Sequence, residues 1–400
     1  MISPTEAEAA IRAHVPQLPC ESAPLAQLAG AVLREAIVAS RDQPPFDRVT
    51  MDGIAFASAA GRREFRIAGT QAAGARQMVL AADDACFECM TGAVLPMGCD
   101  CVVPVERIAI AAGVARLDDD VAPSAGMNVH PRGLDCRAGT VLLQPGATLG
   151  PPEVAVIASA GLARADVSRQ PRIVVISTGD ELIEPGEPVA EWQIYRSNAY
   201  GVLAALQRRG FTRLSHDHLP DDLATLRRRL RELLDANDVL VMSGGVSMGK
   251  FDFIPQVLTE LGVSLVFHKI AQRPGKPMWF GVGPTTEQQG RAVFALPGNP
   301  VSTLICLTRY VISGLAAAMS ATPAAAEVVA LAGAYEVKPA LALFLPVRLA
   351  ADELGHICAH PRPTKGSGDF TSLIGTDGFV ELPPGPATVA SGTVVPFYRW

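Results

Sequence analysis

The sequence predicts a multidomain α/β protein. A doubly wound, mainly parallel sheet domain is joined to a helical linker domain, a β-rich insert and a small C-terminal β-barrel-like domain. Three observations carry that expectation. The 400 residues are 49% hydrophobic and 18% charged, enough apolar material for several cores at roughly 100–200 residues per domain. Between residues 171 and 315, apolar runs of strand length alternate with helical patterns, which marks a parallel sheet. On either side, short apolar runs are punctuated by Gly and Pro, which number 36 and 32 in the chain.

In chain order, Thr5 with Glu8 reads as a capping box that opens a first helix. Leu25, Leu28, Ala29, Val32 and Leu33 predict a second helix over 25–38, stopped by Pro44-Pro45. Residues 1–45 and 137–170 form the segmented helical linker domain, whose later part carries a helix over 152–159 entered through Pro151-Pro152. Residues 46–136 are the insert, with strands at 65–68, 86–90, 101–105 and 114–117; the strand signal returns at 141–143. Residues 171–320 are the α/β domain. Its strands fall at 172–176, 211–214, 238–242, 263–267 and 291–296, and its helices at 197–209, 221–235, 253–261 and 300–311. Within 221–235, Leu223, Leu226, Leu230, Leu233 and Leu234 share one face. Residues 321–400 show short runs at 335–337, 341–345, 356–359 and 379–382 separated by turns, a small β domain.

Composition narrows function. With 34 basic against 40 acidic residues, the mildly acidic chain is a poor candidate for general nucleic-acid binding. The N-terminus lacks a basic region before an apolar core, and the apolar tract 311–334 is broken by Pro323 and Glu327; a cytoplasmic protein without a membrane span is expected. Cys86, Cys89, Cys99 and Cys101 are either a zinc site or reduced structural thiols; their spacing is poor for a ribbon or finger and fits alternating strand.

The chemistry-bearing residues sit where ligands bind in open α/β sheets, beyond the carboxyl ends of the strands. After 172–176 comes Ser177-Thr178-Gly179-Asp180-Glu181-Leu182, a small-residue turn with two acids, suited to a metal ion or a ribose and equally to a helix cap. After 238–242 comes Ser243-Gly244-Gly245-Val246-Ser247-Met248-Gly249-Lys250-Phe251-Asp252. Its glycines let the backbone close on an anion, and Asp252 could hold a divalent ion on bound phosphates. After 291–296 comes Pro297-Gly298-Asn299-Pro300-Val301-Ser302, turning into a helix N-terminus. Upstream, Lys269, Arg273 and Lys276 place three cations within eight residues, in a backbone constrained by Pro274, Gly275 and Pro277. Only five lysines occur: Lys250, Lys269, Lys276, Lys338 and Lys365. Three fall in these loops, and a lysine is a compact charge that suits oxyanions.

Ser243 to Asp252, Pro274-Gly275-Lys276-Pro277 and Leu296 to Ser302, in that order, resemble the MoeA proteins and the E domain of gephyrin, the molybdopterin molybdenumtransferases. Pro45-Phe46-Asp47 with Met51-Asp52-Gly53, Thr91-Gly92 with Leu95-Pro96, and Ser197-Asn198 extend the resemblance over about residues 25 to 379. It implies an elongated homodimer whose α/β domain is related to the MoaB/Mog adenylylating proteins. It also implies a Mg²⁺-dependent reaction of adenylylated molybdopterin with molybdate, giving molybdenum cofactor and AMP. By motif position it places Glu181 and Asp252 at the metal and the nucleotide phosphates, with Asp221 at the same cleft. Asp221 also reads as the cap of the helix that follows it. Lys269, Arg273 and Lys276 meet molybdate or phosphate. Ser177, Gly179, Asn198, Ser243, Gly244, Gly245, Ser247, Pro297, Asn299, Ser302 and, more loosely, Ser367 line the cofactor site. Asp52, Thr91 and Asp135 belong to insert motifs that would close over the partner subunit's cleft. The adenylylating protein and molybdoenzyme acceptors are the implied partners.

Several positions depart from the family pattern. Arg48, Val49 and Thr50 stand where Asn-Ser-Ala is common, Ile54 for a usual Tyr, Arg196 for a frequent Asp, Lys250 for a typical Glu and Arg273 for a common Lys. Two of these exchange an acid for a base. The alternative reading is therefore a divergent, non-catalytic molybdopterin-binding or scaffold protein. A generic nucleotide-binding α/β enzyme would not need the Asp52 and Thr91 motifs.

Overall fold

Ile173–Thr178 (β1) is buried along its whole length, as are Val239–Ser243 (β3) and Ala292–Leu296 (β6). Continuous apolar runs of this kind form strands covered on both faces. Together with Leu214–Leu219 (β2), Ser264–His268 (β4) and Trp279–Val282 (β5), they make a six-stranded sheet in the order β2-β1-β3-β6-β5-β4. The first four strands are parallel; β5 and β4 complete the sheet antiparallel.

These coordinates are a computed structural model that describes residues 1–245, 253–284 and 290–400. The chain divides into two units, Met1–Arg34 with Pro145–Gly150 and Ala165–Trp400, and Glu35–Gln144 with Pro151–Arg164.

In the first unit, one sheet face packs Ile173, Val175, Val241 and Phe294 against helices Ser197–Arg208 and Pro4–His14 and the helical stretch after β6. The other packs Val174, Ile176 and Leu240 against Leu226, Leu230 and Leu234 of helix Leu223–Ala236 and against helix Ile254–Glu260. The stretch after β6 is α-helical over Pro300–Cys306, widens to a π-helical turn at Leu307–Val311 and is α-helical again over Ile312–Ala318. By length and composition it could cross a membrane, but it is mostly buried inside the fold, as a core helix is.

Five strands, Val328–Leu331, Ala342–Ala351, Ile357–Pro361, Gly378–Leu382 and Val394–Arg399, close into a barrel around Val347, Val380 and Phe397. The short strand Gln272–Arg273 pairs in parallel with Ala342 and Leu343, so the cationic loop of the α/β domain is stitched to the barrel edge.

The second unit holds a six-stranded sheet built from Gly53–Phe56, Glu64–Gln71, Ala85–Cys89, Cys101–Pro104, Ile108–Ala111 and Val114–Leu117. Phe56, Phe65, Cys86 and Cys101 pack in one cluster, and Phe87, Cys89 and Cys99 in another. Burial pushes the Cys86 thiol up to about 11 and those of Cys89, Cys99 and Cys101 to about 12, and the four are split between the two clusters, as core thiols are.

Four expectations need correction. The N-terminal capping box is Ser3 with Glu6, not Thr5 with Glu8; Glu8 turns instead to Arg12 and Arg309. The 25–38 helix is replaced by a single 3₁₀ turn, Leu25–Gln27. There Gly30 takes φ +77°, Val32 and Leu33 bridge to Thr148 and Val167, and Ile37–Val38 pairs with Val141–Leu143, so strand pairing outweighs the helical period. The strand expected at 211–214 lies at Leu214–Leu219, and its His216-Asp217-His218 polarity suits an edge strand. Finally, the helix cap is Asp222, whose carboxylate accepts from Thr225 N at 2.8 Å, and this leaves Asp221 out of the cap.

Candidate functional site

Three loops meet beyond the carboxyl ends of β1, β3 and β6. Gly244 (φ +100°) and Gly245 (φ +69°) turn the chain after Ser243. A Cβ on Gly244 would stand 2.9 Å from Thr178 Oγ1, and one on Gly245 would stand 2.6 Å from Ile254 Cγ1, so only glycine fits this approach. Asn198, at the start of helix Ser197–Arg208, ties the loops together. Its Nδ2 donates to Ser243 Oγ at 2.9 Å and to the Gly298 carbonyl at 2.7 Å. Among the described residues, Asn198 Oδ1 and Thr178 Oγ1 are buried without a hydrogen-bond partner, polar atoms in a crevice that fits a polar ligand.

The acidic side of this crevice is Asp180, Glu181 and Asp221. Both Asp180 and Glu181 are exposed. Asp221 N donates to Asp180 Oδ1 at 3.2 Å, which brings the two loops together, and the Glu181 carboxylate lies against Gly179. Behind them, the buried Ser177 has its Oγ 3.5 Å from His216 Nε2. Burial, and then the Arg196 charge, hold His216 and His218 below the usual histidine range, which favours neutral rings. Arg196 pairs with Glu184, which also accepts from Tyr200 OH, so the base at this departing position has found its own acid.

The turn 297–302 leads from this crevice into a cleft of about 620 Å³ between the α/β domain and the barrel. Arg273 and Lys276 line it from the cationic loop, and Lys338 and Lys365 from the barrel side; Glu336 is the one carboxylate among the described lining residues. Pro297, Asn299 and Ser302 also line it. Ser367 is fixed here by two bonds, Asn299 Nδ2 to Ser367 Oγ at 2.9 Å and Val301 N to the Ser367 carbonyl at 3.0 Å. Lys269 adopts φ +72° and, among the described residues, is not one that lines this cleft. Three of the five lysines do converge on one site, but they are Lys276, Lys338 and Lys365. The sequence motifs place neither Lys338 nor Lys365 at this site; the scarcity of lysine is the signal that could have found them.

In the second unit, Asp52 Oδ1 accepts from Thr91 N at 2.7 Å and from Thr91 Oγ1 at 2.8 Å, and these bonds hold its carboxyl below the usual range. Asp135 Oδ1 lies 2.8 Å from His130 Nε2. Ile54 is wholly buried in the sheet core, which accounts for an apolar residue at that departing position. Ser247, Lys250 and Asp252 lie outside the described residues.

Asp180 and Glu181 are exposed carboxylates, the kind of oxygen ligand of which Mg²⁺ takes one or two beside water and substrate phosphates. Among the described residues no group of three or more His, Cys, Asp or Glu could enclose a metal by itself.

Residues 2–161 match the MoeA N-terminal region (domains I and II), 174–317 a probable molybdopterin binding domain, and 329–400 the MoeA C-terminal region (domain IV). The chain is 41% identical over 403 aligned positions to a molybdopterin molybdenumtransferase of Synechocystis sp., covering 100% of both chains. It is 32% identical over 289 positions to the enzyme of that name in Haemophilus influenzae, covering 72% of this chain and 70% of that one. Among solved structures, it resembles two of the molybdopterin biosynthesis MoeA protein of Pyrococcus horikoshii. One gives a TM-score of 0.80 at 25% identity with 100% of both chains covered. The other gives 0.78 at 28%, with 100% of this chain and 99% of that one covered.

Proposed function

Since this chain belongs to the MoeA family of molybdopterin molybdenumtransferases, enzymes of molybdenum cofactor biosynthesis, we propose that it inserts molybdate into adenylylated molybdopterin with Mg²⁺ and releases AMP. The observation that carries this reading is the union of two sites through the 297–302 turn. One is a glycine-lined crevice with exposed carboxylates, and the other is a cleft with four cations and one carboxylate among its described lining residues.

Each side has a defined task. Arg273, Lys276, Lys338 and Lys365 attract molybdate and offset its repulsion from the pyrophosphate of the other substrate. Gly244, Gly245 and Asn198 seat the nucleotide end, where the close backbone approach and the leftover Asn198 Oδ1 and Thr178 Oγ1 meet polar ligand atoms. Glu181, with Asp252 beyond the described residues, would hold Mg²⁺, which when bound neutralises charge on the phosphoanhydride. Holding the dithiolene and molybdate together removes an entropic barrier, and no side chain need become a covalent nucleophile. The same proposal includes a cytoplasmic homodimer in which Asp52, Thr91 and Asp135 of one subunit serve the partner subunit's cleft. It also includes exchange with the adenylylating protein and with molybdoenzyme acceptors.

Purified protein given adenylylated molybdopterin, molybdate and Mg²⁺ should release AMP, and the Asp252→Ala variant should not. Absence of AMP release by the unaltered protein under those conditions overturns the reading.

A further inference from the structure

The cationic loop 272–277 rests on a buried polar side chain that the proposed chemistry does not use. Gln272 is wholly buried. Its Nε2 donates to the Pro274 carbonyl at 3.0 Å and lies 3.5 Å from Cys306 Sγ, and its Oε1 accepts from Tyr310 OH. Complementarity fixes the direction of each bond. A carbonyl can only accept, so the amide must turn its NH₂ toward Pro274; its oxygen then faces Tyr310, which must donate. Burial raises the Tyr310 phenol far above its ordinary value, so the donor keeps its proton. Tyr310 is brought here by the π-helical turn Leu307–Val311, a local widening that recurs at functional sites.

The neighbouring carbonyls of the loop are taken up in the same way. Gly275 O accepts from Met278 N at 3.3 Å and faces Cys306 Sγ at 3.7 Å, and Lys276 O accepts from Ile270 N at 2.9 Å. Gly275 has φ +95°, and a Cβ there would stand 2.5 Å from Gln272 Nε2 and 2.6 Å from Cys306 Sγ, so the brace and the loop are packed without spare room. Arg273 and Lys276, by contrast, are exposed.

We infer that Gln272 and Tyr310 are positioning residues for oxyanion binding. Tyr310 sets the Gln272 amide, and the amide holds the Pro274 carbonyl inward, so the loop offers an arriving anion its cations and not a carbonyl dipole. Losing the brace frees an acceptor beside the cleft and loosens the two cations that flank it. This inference rests on the reading of the cleft as the molybdate site.

The test uses the full-length protein in two measurements: equilibrium titration with molybdate alone, and steady-state AMP release. Tyr310→Phe should weaken molybdate binding about threefold and Gln272→Leu about tenfold, the size of one lost buried hydrogen bond or somewhat more. The KM for molybdate should follow while kcat stays within about twofold. Because both residues act through one amide, the double variant should bind molybdate no more weakly than Gln272→Leu alone. Singles that lower thermal stability but bind molybdate like the unaltered protein, or a double variant whose losses add, overturn the inference. If the unaltered protein binds molybdate and the variants weaken it as stated but no AMP is ever released, the proposed function fails and the brace stands. If AMP is released and molybdate affinity is indifferent to the variants, the brace alone fails.

Discussion

The two ends of the central sheet treat charge in opposite ways. At the start of β3, Asp238 is buried, and its carboxylate accepts from Arg172 N at 2.8 Å and pairs with Arg172 and Arg169 at 3.0 Å each. Burial opposes ionisation there, but the two guanidinium groups prevail and hold the carboxyl down at about 2. At the other end, Arg273, Lys276, Lys338 and Lys365 face a cleft with one carboxylate among its described lining residues, and Asp180 and Glu181 stand exposed beside the strand-end crevice. Charges that complete one another inside the fold are structural. Like charges gathered around one cleft repel one another, and a ligand of opposite sign relieves that repulsion.

Substitutions at each end should separate these roles. Glu181→Gln, at the ligand end, should lower kcat for AMP release by about 100-fold or more and leave the melting temperature close to that of the unaltered protein. Equal loss of stability and rate would erase the distinction. Asp238→Asn should do the reverse, costing on the order of 2 kcal/mol of stability at pH 7 with KM values unchanged. The sign of its pH dependence follows from the lowered folded-state value. The stabilisation is present in full above the unfolded carboxyl value of 3.8 and is lost as pH falls toward about 2, so the two melting curves should converge in that window. Denaturation measured from pH 7 down to 2 checks this.

The same contrast explains what was readable in the sequence. The run Ile173-Val174-Val175-Ile176 announces a strand because both of its faces are covered. The edge strand carrying His216-Asp217-His218 does not, since an edge needs polarity more than an apolar period. Val32 and Leu33 show a helical spacing, yet each is claimed by a bridge to a residue more than a hundred positions away, information no local window holds. At the site, Gly244, Gly245 and the 273–276 cations were visible as motifs because a close approach or an anion demands those residue types. Lys338 belongs to no motif, because its place in the cleft depends on the barrel closing beside the α/β domain. Gln272 and Tyr310 gave no signal, since a buried amide matters through the atoms it faces and not through its spacing.

The most direct test of the account is the pair of Michaelis constants for Lys276→Ala. The lysine faces the cleft proposed for molybdate, across the 297–302 turn from the crevice proposed for the nucleotide. Its loss should raise the KM for molybdate by about 10- to 30-fold while the KM for adenylylated molybdopterin changes less than about threefold. A KM for molybdate that stays where it was, or an equal rise in both constants, would contradict the division of the site into an oxyanion cleft and a nucleotide crevice.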